Sequence, residues 1–341
     1  MSTLENLDAD PDDDRSPDAI IERLRRLTVP RPEDARSRKL FDGLFRQGPD
    51  KVPVSRPRLF GIDREARALV VTGATGAGKS TLVRKLFLTH PAFPGFGMSG
   101  GDCKILSITV PSPATHKGLG LVLLDRLGWQ VPSRTTEQEI WRIVSRRLHE
   151  LGYVVVHFDE AQRVLHNRSD DEIRNICDKW IELLQQPYPV VLVLSGIESL
   201  STVILNHFQC FRRFRMLRMP PISVLDEKVI GGAIAGYCKA ADIGFDHSDH
   251  LVRRLIHASG STFGIAIEYA TDAIAEALMA DDETLTVDHF AEAYAAATGC
   301  YPHDNPFLVD DWDSVPLAKG PDAYGDGDDD GTAKKKKGKK S

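Results

Sequence analysis

The sequence predicts an α/β protein with a parallel sheet covered by helices, joined to a C-terminal all-helical unit. Two observations carry this. From residue 67 to 196, short β-branched or apolar runs alternate with amphipathic helical segments, as in a sheet buried on both faces. After Pro220-Pro221 such runs stop, and only Ala-rich helical faces follow. With 341 residues, 42% hydrophobic and 27% charged, the chain is ample for buried cores. Collagen-like and wholly disordered classes are excluded.

The elements follow in order. Residues 1–16 are acidic and poor in apolar side chains, which predicts disorder. Residues 17–60 read as a helical extension. Ser16 is suited to cap a helix with Pro17 at its first position, and Ile20, Ile21, Leu24 and Leu27 share one face. Leu40, Phe41, Leu44 and Phe45 predict a second helix ending near Gly48-Pro49. Residues 61–221 form the α/β domain. Its strands are Ala68–Thr72, Lys104–Val110, Tyr153–Phe158 and Val190–Leu194, and its helices are 79–90, 119–127, 137–151 and 170–184. Residues 222–301 form the helical unit, with helices at 230–241, 250–259, 264–278 and 287–297. Residues 302–341 are Pro/Gly/Asp-rich, end in a lysine run and read as a disordered tail.

Charge and cysteine usage narrow the classes further. Seven acids and one arginine crowd residues 1–18, and nine acids and seven lysines crowd 302–341. The body between them is nearly neutral, which neither requires nor excludes nucleic acid. Five scattered cysteines without a CxxC pair argue against a disulfide framework or zinc ribbon and fit a reducing cytoplasm. No apolar run is long enough to span a bilayer, and the acidic start has no leader-like region.

The strongest chemical signal is Gly73-Ala74-Thr75-Gly76-Ala77-Gly78-Lys79-Ser80. It matches G-x-x-x-x-G-K-[ST] between a strand and a helix. Such a turn points backbone N–H groups at phosphates, and the helix start adds its positive dipole end. Lys79 is placed to reach β- and γ-phosphates, Ser80 to coordinate Mg²⁺, and Thr81 follows in the first turn. The second signal is the apolar run Val154–Phe158 ending in Asp159-Glu160. It delivers two carboxylates at the sheet edge where ligands of such folds bind. Asp159 is assigned to Mg²⁺ and Glu160 to the attacking water as general base. No N-K-x-D signature is present, so adenine is the expected base, and ATP with Mg²⁺ the expected ligands.

Two further groups leave alternatives open. Ser195, ending the next strand, is either a water-positioning group or an ordinary turn residue. Phe211-Arg212-Arg213-Phe214-Arg215 can stabilise charge on a transferring phosphoryl, in cis or from a neighbouring subunit. It can equally bind DNA phosphates or form a solvated basic turn. Thr115-His116-Lys117 and Ser133-Arg134-Thr135-Thr136 open two helices, the second carrying Arg142, Arg146 and Arg147. They suit a phosphate backbone, or serve as caps and a solvated face.

Together, Gly73–Ser80, Val154–Glu160, Leu194-Ser-Gly-Ile-Glu-Ser-Leu200 and Phe211–Arg215 resemble the TniB/TnsC family of AAA+ ATPases, which regulate DNA transposition. Pro111-Ser-Pro113 and Asn305-Pro-Phe307 add to the likeness. It spans about residues 17–310 and is nearest the TniB branch. The resemblance implies a P-loop AAA+ fold with a five-stranded parallel sheet and a helical lid. It implies a homo-oligomer, ring or filament, assembled on duplex DNA with ATP. That assembly would mark the target and recruit a DDE-type transposase with a TniQ-type adaptor. The trans-acting arginine maps onto Arg213, with Arg212 beside it, and the DNA-facing positions onto Lys117 and Thr135 or Thr136. One departure stands out: where typical AAA+ lids carry G-x-x-R, Gly260–Gly264 has no arginine. The competing readings are a helicase-loader-type ATPase and a nucleotide-gated protein switch without DNA contact. In the tail, Phe307–Asp313 reads as a docking peptide for a partner, and the lysines of 334–340 as extra DNA affinity or solubility.

Overall fold

The strand that precedes the glycine-rich turn lies inside the sheet, with a neighbour on each side. The computed structural model describes residues 5–6, 16–98 and 103–317. The sheet contains β1 (Ala68–Thr72), β2 (Ile105–Thr109), β3 (Val155–Asp159), β4 (Val191–Gly196) and β5 (Phe214–Arg218). All are parallel, in the order β2-β3-β4-β1-β5. Every residue of β1 and β4 is buried, which is why these strands read as unbroken apolar runs. The order places the C-terminal ends of β1, β3 and β4 side by side, so the glycine-rich turn, Asp159 and Ser195 converge.

Side-chain alternation divides the core in two. Val155, Val191, Val193, Leu69 and Val71 face one side, against α3 (Lys79–Leu88) and the aromatic group Phe41, Phe45, Phe87 and Phe93. Val156, Phe158, Leu192 and Leu194 face the other. That side is covered by α4 (His116–Arg126), α5 (Glu137–Glu150) and α6 (Asp170–Leu183), with α7 (Glu198–Asn206) and α8 (Phe208–Arg213) beyond. A third core joins α9 (Glu227–Ala241), α10 (Leu251–Ala258), α11 (Phe263–Met279) and α12 (Val287–Thr298), to which α1 (Pro17–Arg26) adds Leu24. Ser16 caps α1 by accepting from Ala19 N, with Pro17 at its first position.

The structure corrects three expectations. The second N-terminal helix, α2, spans Pro32–Asp42 and stops at Gly43. Phe45–Gln47 instead pairs antiparallel with Pro53–Pro57. Phe41 and Phe45 are in edge-to-face contact at 4.8 Å, so the apolar spacing there serves the core and not one helix face. The Phe211–Arg215 cluster is no single turn: it splits between the last turn of α8 and β5, whose half-exposed, Arg-bearing sequence hides the fifth strand. Finally, residues 302–317 pack on the helical region. Phe307 is buried on Phe290 with ring centroids 5.5 Å apart, and Val315 is buried too. Buried Arg254 donates to Pro306 O at 2.8 Å and Val309 O at 2.6 Å. The averaged Pro/Gly/Asp composition masked these few anchors, and Phe307 is thereby spoken for within the chain. The lysine run and most of residues 1–15 lie outside the described residues. Among those described, no helix is long and apolar enough to cross a membrane.

Candidate functional site

The site is built where β1 turns into α3. Gly78 sits at φ 86°, a left-handed conformation that favours glycine, and releases the chain into α3 at Lys79. Buried Lys79 turns its Nζ onto the loop, donating to Gly73 O at 3.0 Å and Ala74 O at 2.8 Å. Ser80 and Thr81 are exposed in the first turn of α3. The loop rests against the start of α11, where a Cβ on Gly264 would collide with the carbonyl oxygen of Gly76.

Asp159 is the hub. Its Oδ2 accepts from Ser80 Oγ at 2.8 Å, and its Oδ1 accepts from Ser195 Oγ at 2.6 Å and from Glu160 N at 3.1 Å. Ser195 is buried, and His157 Nε2 lies 2.8 Å from its hydroxyl; Ser107 Oγ lies 2.8 Å from His157 Nδ1. Proton bookkeeping orders this chain. Ser195 spends its one proton on the carboxylate, so His157 must donate through Nε2 and accept from Ser107 at Nδ1. Burial drives the imidazole to its neutral form, lowering its pKa to about 4 despite the pull of Asp159. Strand register explains the alignment: Ser107 pairs with His157 and His157 with Val193, so all of these, with Ser195 and Asp159 two residues on, share one sheet face.

Glu160 stands in left-handed conformation, φ 55°, an uncommon state for a non-glycine residue that turns the chain out of β3. Its Oε2 accepts from Gln162 Nε2 at 2.7 Å, while Gln162 Oε1 accepts from Ile197 N at 3.3 Å. Gln162 therefore ties the carboxylate to the end of β4.

A cavity of about 750 Å³ adjoins the loop, between residues 24–31, the first turn of α3 and α11. Val29, Met219, Phe263 and Ile267 give it apolar walls. Arg31 closes one side: its guanidinium lies 4.2 Å over the Phe263 ring and donates to Ala77 O at 3.1 Å. Burial lowers the Arg31 pKa, with Glu33 and Asp34 opposing that shift.

Other predicted residues are placed as follows. Arg213 is held by Glu65, Nε and Nη2 each donating at 2.7 Å; Gln185 joins at 2.7 Å. The Arg213 hydrogen bonds hold the Glu65 carboxyl below its usual pKa. Arg212 next to it is exposed. The openings of α4 and α5 do come together: His116 stacks on Trp141 at 4.5 Å and bonds Glu137 at 3.0 Å. Of the DNA candidates, Lys117 is half-buried and Thr135 is buried. Thr136 is exposed, but its hydroxyl caps α5. Arg146 and Arg147 both pair with Glu150, which neutralises much of that basic face, while Arg142 is exposed.

Sequence reasoning missed His157, Gln162, Arg31 and Glu65. His157 carried a signal, being two residues before Asp159 and hence on the same strand face. Arg31 and Glu65 carried none, because their partners lie far along the chain.

The donor set tests well for the expected ligands. Hydroxyl and carboxylate oxygens at Ser80 and Asp159 suit a hard ion such as Mg²⁺. The loop N–H groups, Lys79 and the adjoining apolar cavity suit a triphosphate with a purine.

In sequence, residues 62–204 match the AAA domain family. No curated protein matches the chain. Among solved structures it is similar to the Aeropyrum pernix ORC2 protein in ADPNP–ADP complexes. That match has a TM-score of 0.51 and 11% identity, covering 80% of this chain and 71% of that one. It is also similar to the Aeropyrum pernix ORC1 protein in complex with DNA, with a TM-score of 0.50 and 18% identity, covering 69% and 60%. Cdc6p from Pyrobaculum aerophilum aligns at a TM-score of 0.49 and 14% identity, covering 71% and 66%. The chain thus spans under two thirds of the ORC1 and Cdc6p lengths. The five-stranded parallel sheet, the converging loop and carboxylates, and the family match agree: residues 62–204 match the AAA domain family, and the chain has the P-loop AAA+ fold.

Proposed function

We propose that this chain is a Mg²⁺-dependent ATPase that assembles with copies of itself on duplex DNA and regulates DNA transposition. The observation that carries the ATPase reading is the meeting of Ser80, Asp159 and Ser195 beside Lys79, with Glu160 alongside. The loop from Gly73 to Ser80 would hold the phosphates, and the cavity walled by Val29, Met219, Phe263 and Ile267 the adenine. Lys79 would exchange its two loop carbonyls for phosphate oxygens. Ser80 and Asp159 would hold Mg²⁺, which when bound would offset the charge of the phosphates. Glu160 would orient and deprotonate the attacking water once Gln162 lets go of it, and Ser195 would keep Asp159 in place. The lid has no arginine at Gly260–Gly264, so Arg31 supplies the cation nearest the loop from the N-terminal side.

The assembly reading rests on Arg212. It is exposed at the end of α8, whereas Arg213 is tied to Glu65, so Arg212 is the arginine of this pair free to complete a neighbour's site. DNA binding, a DDE-type transposase and a TniQ-type adaptor come from the resemblance to the TniB/TnsC family. The fold shared with the DNA-bound ORC1 protein is compatible with them. A helicase-loader role would use the same site.

The test is electron microscopy of the full chain with duplex DNA in ATP, a non-hydrolysable analogue, ADP or no nucleotide, paired with an ATP turnover assay. Rings or filaments that need both DNA and ATP support assembly on DNA. Particles that never bind DNA while ATP is still hydrolysed would leave a protein-interaction switch. Addition of the transposase or a helicase to the assembled particles separates the two DNA-bound roles.

A further inference from the structure

Cys177, His207 and Cys210 were scattered cysteines and a histidine in the sequence, yet the fold gathers them. One donor atom from each lies within 4.8 Å of the other two. We propose that they form a binding site for a thiophilic divalent ion, Zn²⁺ being the ion whose chemistry they fit. The site lies on the side of the sheet away from Lys79 and does not depend on the ATPase reading.

Three local features converge there. Cys177 sits on the buried face of α6. His207 is the N-cap of α8 and accepts from Cys210 N through Nδ1 at 3.4 Å. That cap places the imidazole and the Cys210 thiol, three residues apart, on the same side of the first turn. Both thiols are fully buried, and their sulfurs lie within 4.8 Å of each other. A candidate fourth donor, an oxygen, stands at the open side, where Asp178 Oδ1 is 3.8 Å from His207 Nε2. The side chains of His207 and Asp178 are 17% and 49% exposed, so the path for an ion runs between them.

Geometry and chemistry then select the ion. Zn–S and Zn–N bonds of about 2.3 and 2.0 Å put tetrahedral donors about 3.5–3.8 Å apart, so a small closing movement suffices. Two sulfurs and an imidazole are soft to borderline donors, which favours Zn²⁺ over the oxygen-seeking Mg²⁺ of the nucleotide site. Asp178 or a water fills the fourth position. The rival is plain packing of two buried cysteines as small hydrophobic side chains.

An ion here would fasten the first turn of α8 to α6. Because α8 ends in Arg212 and Arg213 and exposes Phe208 and Phe211, it would also set the orientation of that surface.

The experiment uses the untagged full chain, stripped with a chelator, desalted and given Zn²⁺ or Co²⁺ in separate arms. We expect about one Zn²⁺ per chain to survive gel filtration and to raise the melting temperature. Co²⁺ should add a thiolate charge-transfer band and the intense visible bands of a tetrahedral centre. His207→Gln and Cys210→Ser should weaken binding at least about tenfold, and Cys103→Ser should not. His207 is partly exposed, so His207→Gln keeps the test valid if a cysteine variant fails to fold. A wild-type chain that retains no Zn²⁺, a Co²⁺ spectrum without the thiolate band, or His207→Gln binding like wild type would each overturn the site. None of these readouts uses ATP turnover, so failure of the ATPase reading would be seen separately.

Discussion

Ser195 gives its single hydroxyl proton to Asp159 at 2.6 Å and stands 2.8 Å from His157 Nε2, which makes this buried serine the clamp on the candidate metal-binding carboxylate. Ser195→Ala removes the clamp and leaves an imidazole N–H unsatisfied inside the sheet. A loss of about 1–3 kcal/mol in unfolding free energy is expected, with slower ATP turnover. Denaturant melts and a turnover assay check both; wild-type values in each would dismiss the clamp.

Glu160→Gln keeps the shape of the side chain and removes its basicity. Hydrolysis should fall by about 10²-fold or more while nucleotide binding persists. Lys79→Ala should lose binding itself. A fluorescent nucleotide titration alongside single-turnover hydrolysis separates the two outcomes, and equal hydrolysis by Glu160→Gln and wild type would remove Glu160 from the mechanism.

The Glu65–Arg213 pair makes a pH-dependent contribution. The folded carboxyl is held below its unfolded value, chiefly by hydrogen bonds from Arg213. Its stabilisation is therefore fully present above the unfolded carboxylate pKa and is lost as pH falls through the lower folded one. Wild type should lose more stability than Glu65→Gln on acidification across that window. Parallel curves for the two proteins would contradict the pairing.

Arg212 and Arg213 should separate cleanly. Arg213→Ala breaks a charge-assisted pair with Glu65 and should cost about 1.5–3 kcal/mol. Arg212→Ala should change stability by no more than about 0.5 kcal/mol and cut turnover of the assembled protein by about 10³-fold. Loss of turnover equal in dilute and assembled protein would place Arg212 outside any subunit interface.

Phe307 belongs to the helical core, so Phe307→Ala should cost about 3–5 kcal/mol. Leu308→Ala is the control, since Leu308 is 51% exposed. Thermal melts of the two variants compare them directly. Equal, small effects would return the segment to a loosely held tail.

Much of this was legible along the chain. Strands β1, β3 and β4 announced themselves because strands buried on both faces are built mostly from apolar, β-branched residues, with His157 and Ser195 among the polar exceptions. The glycine-rich turn was legible because its backbone geometry restricts side chains over eight consecutive residues. β5 was not, since an edge strand tolerates Arg215, Met216 and Arg218 on its half-exposed surface. Nor was the docking of residues 302–317, where Phe307, Val315 and the carbonyls facing Arg254 are too few to move a composition average.

The sequence by itself thus determined the α/β class, the helical C-terminal unit and the residues Gly73–Ser80 and Asp159-Glu160, because local periodicity and close spacing encode them. Only the tertiary structure decided that His157 and Ser195 serve Asp159, that Arg31 flanks the loop, that Glu65 holds Arg213 and that Cys177 meets Cys210. These partners are set by strand register and helix packing across tens of residues, and a contact of that kind leaves no periodic trace in the chain that makes it.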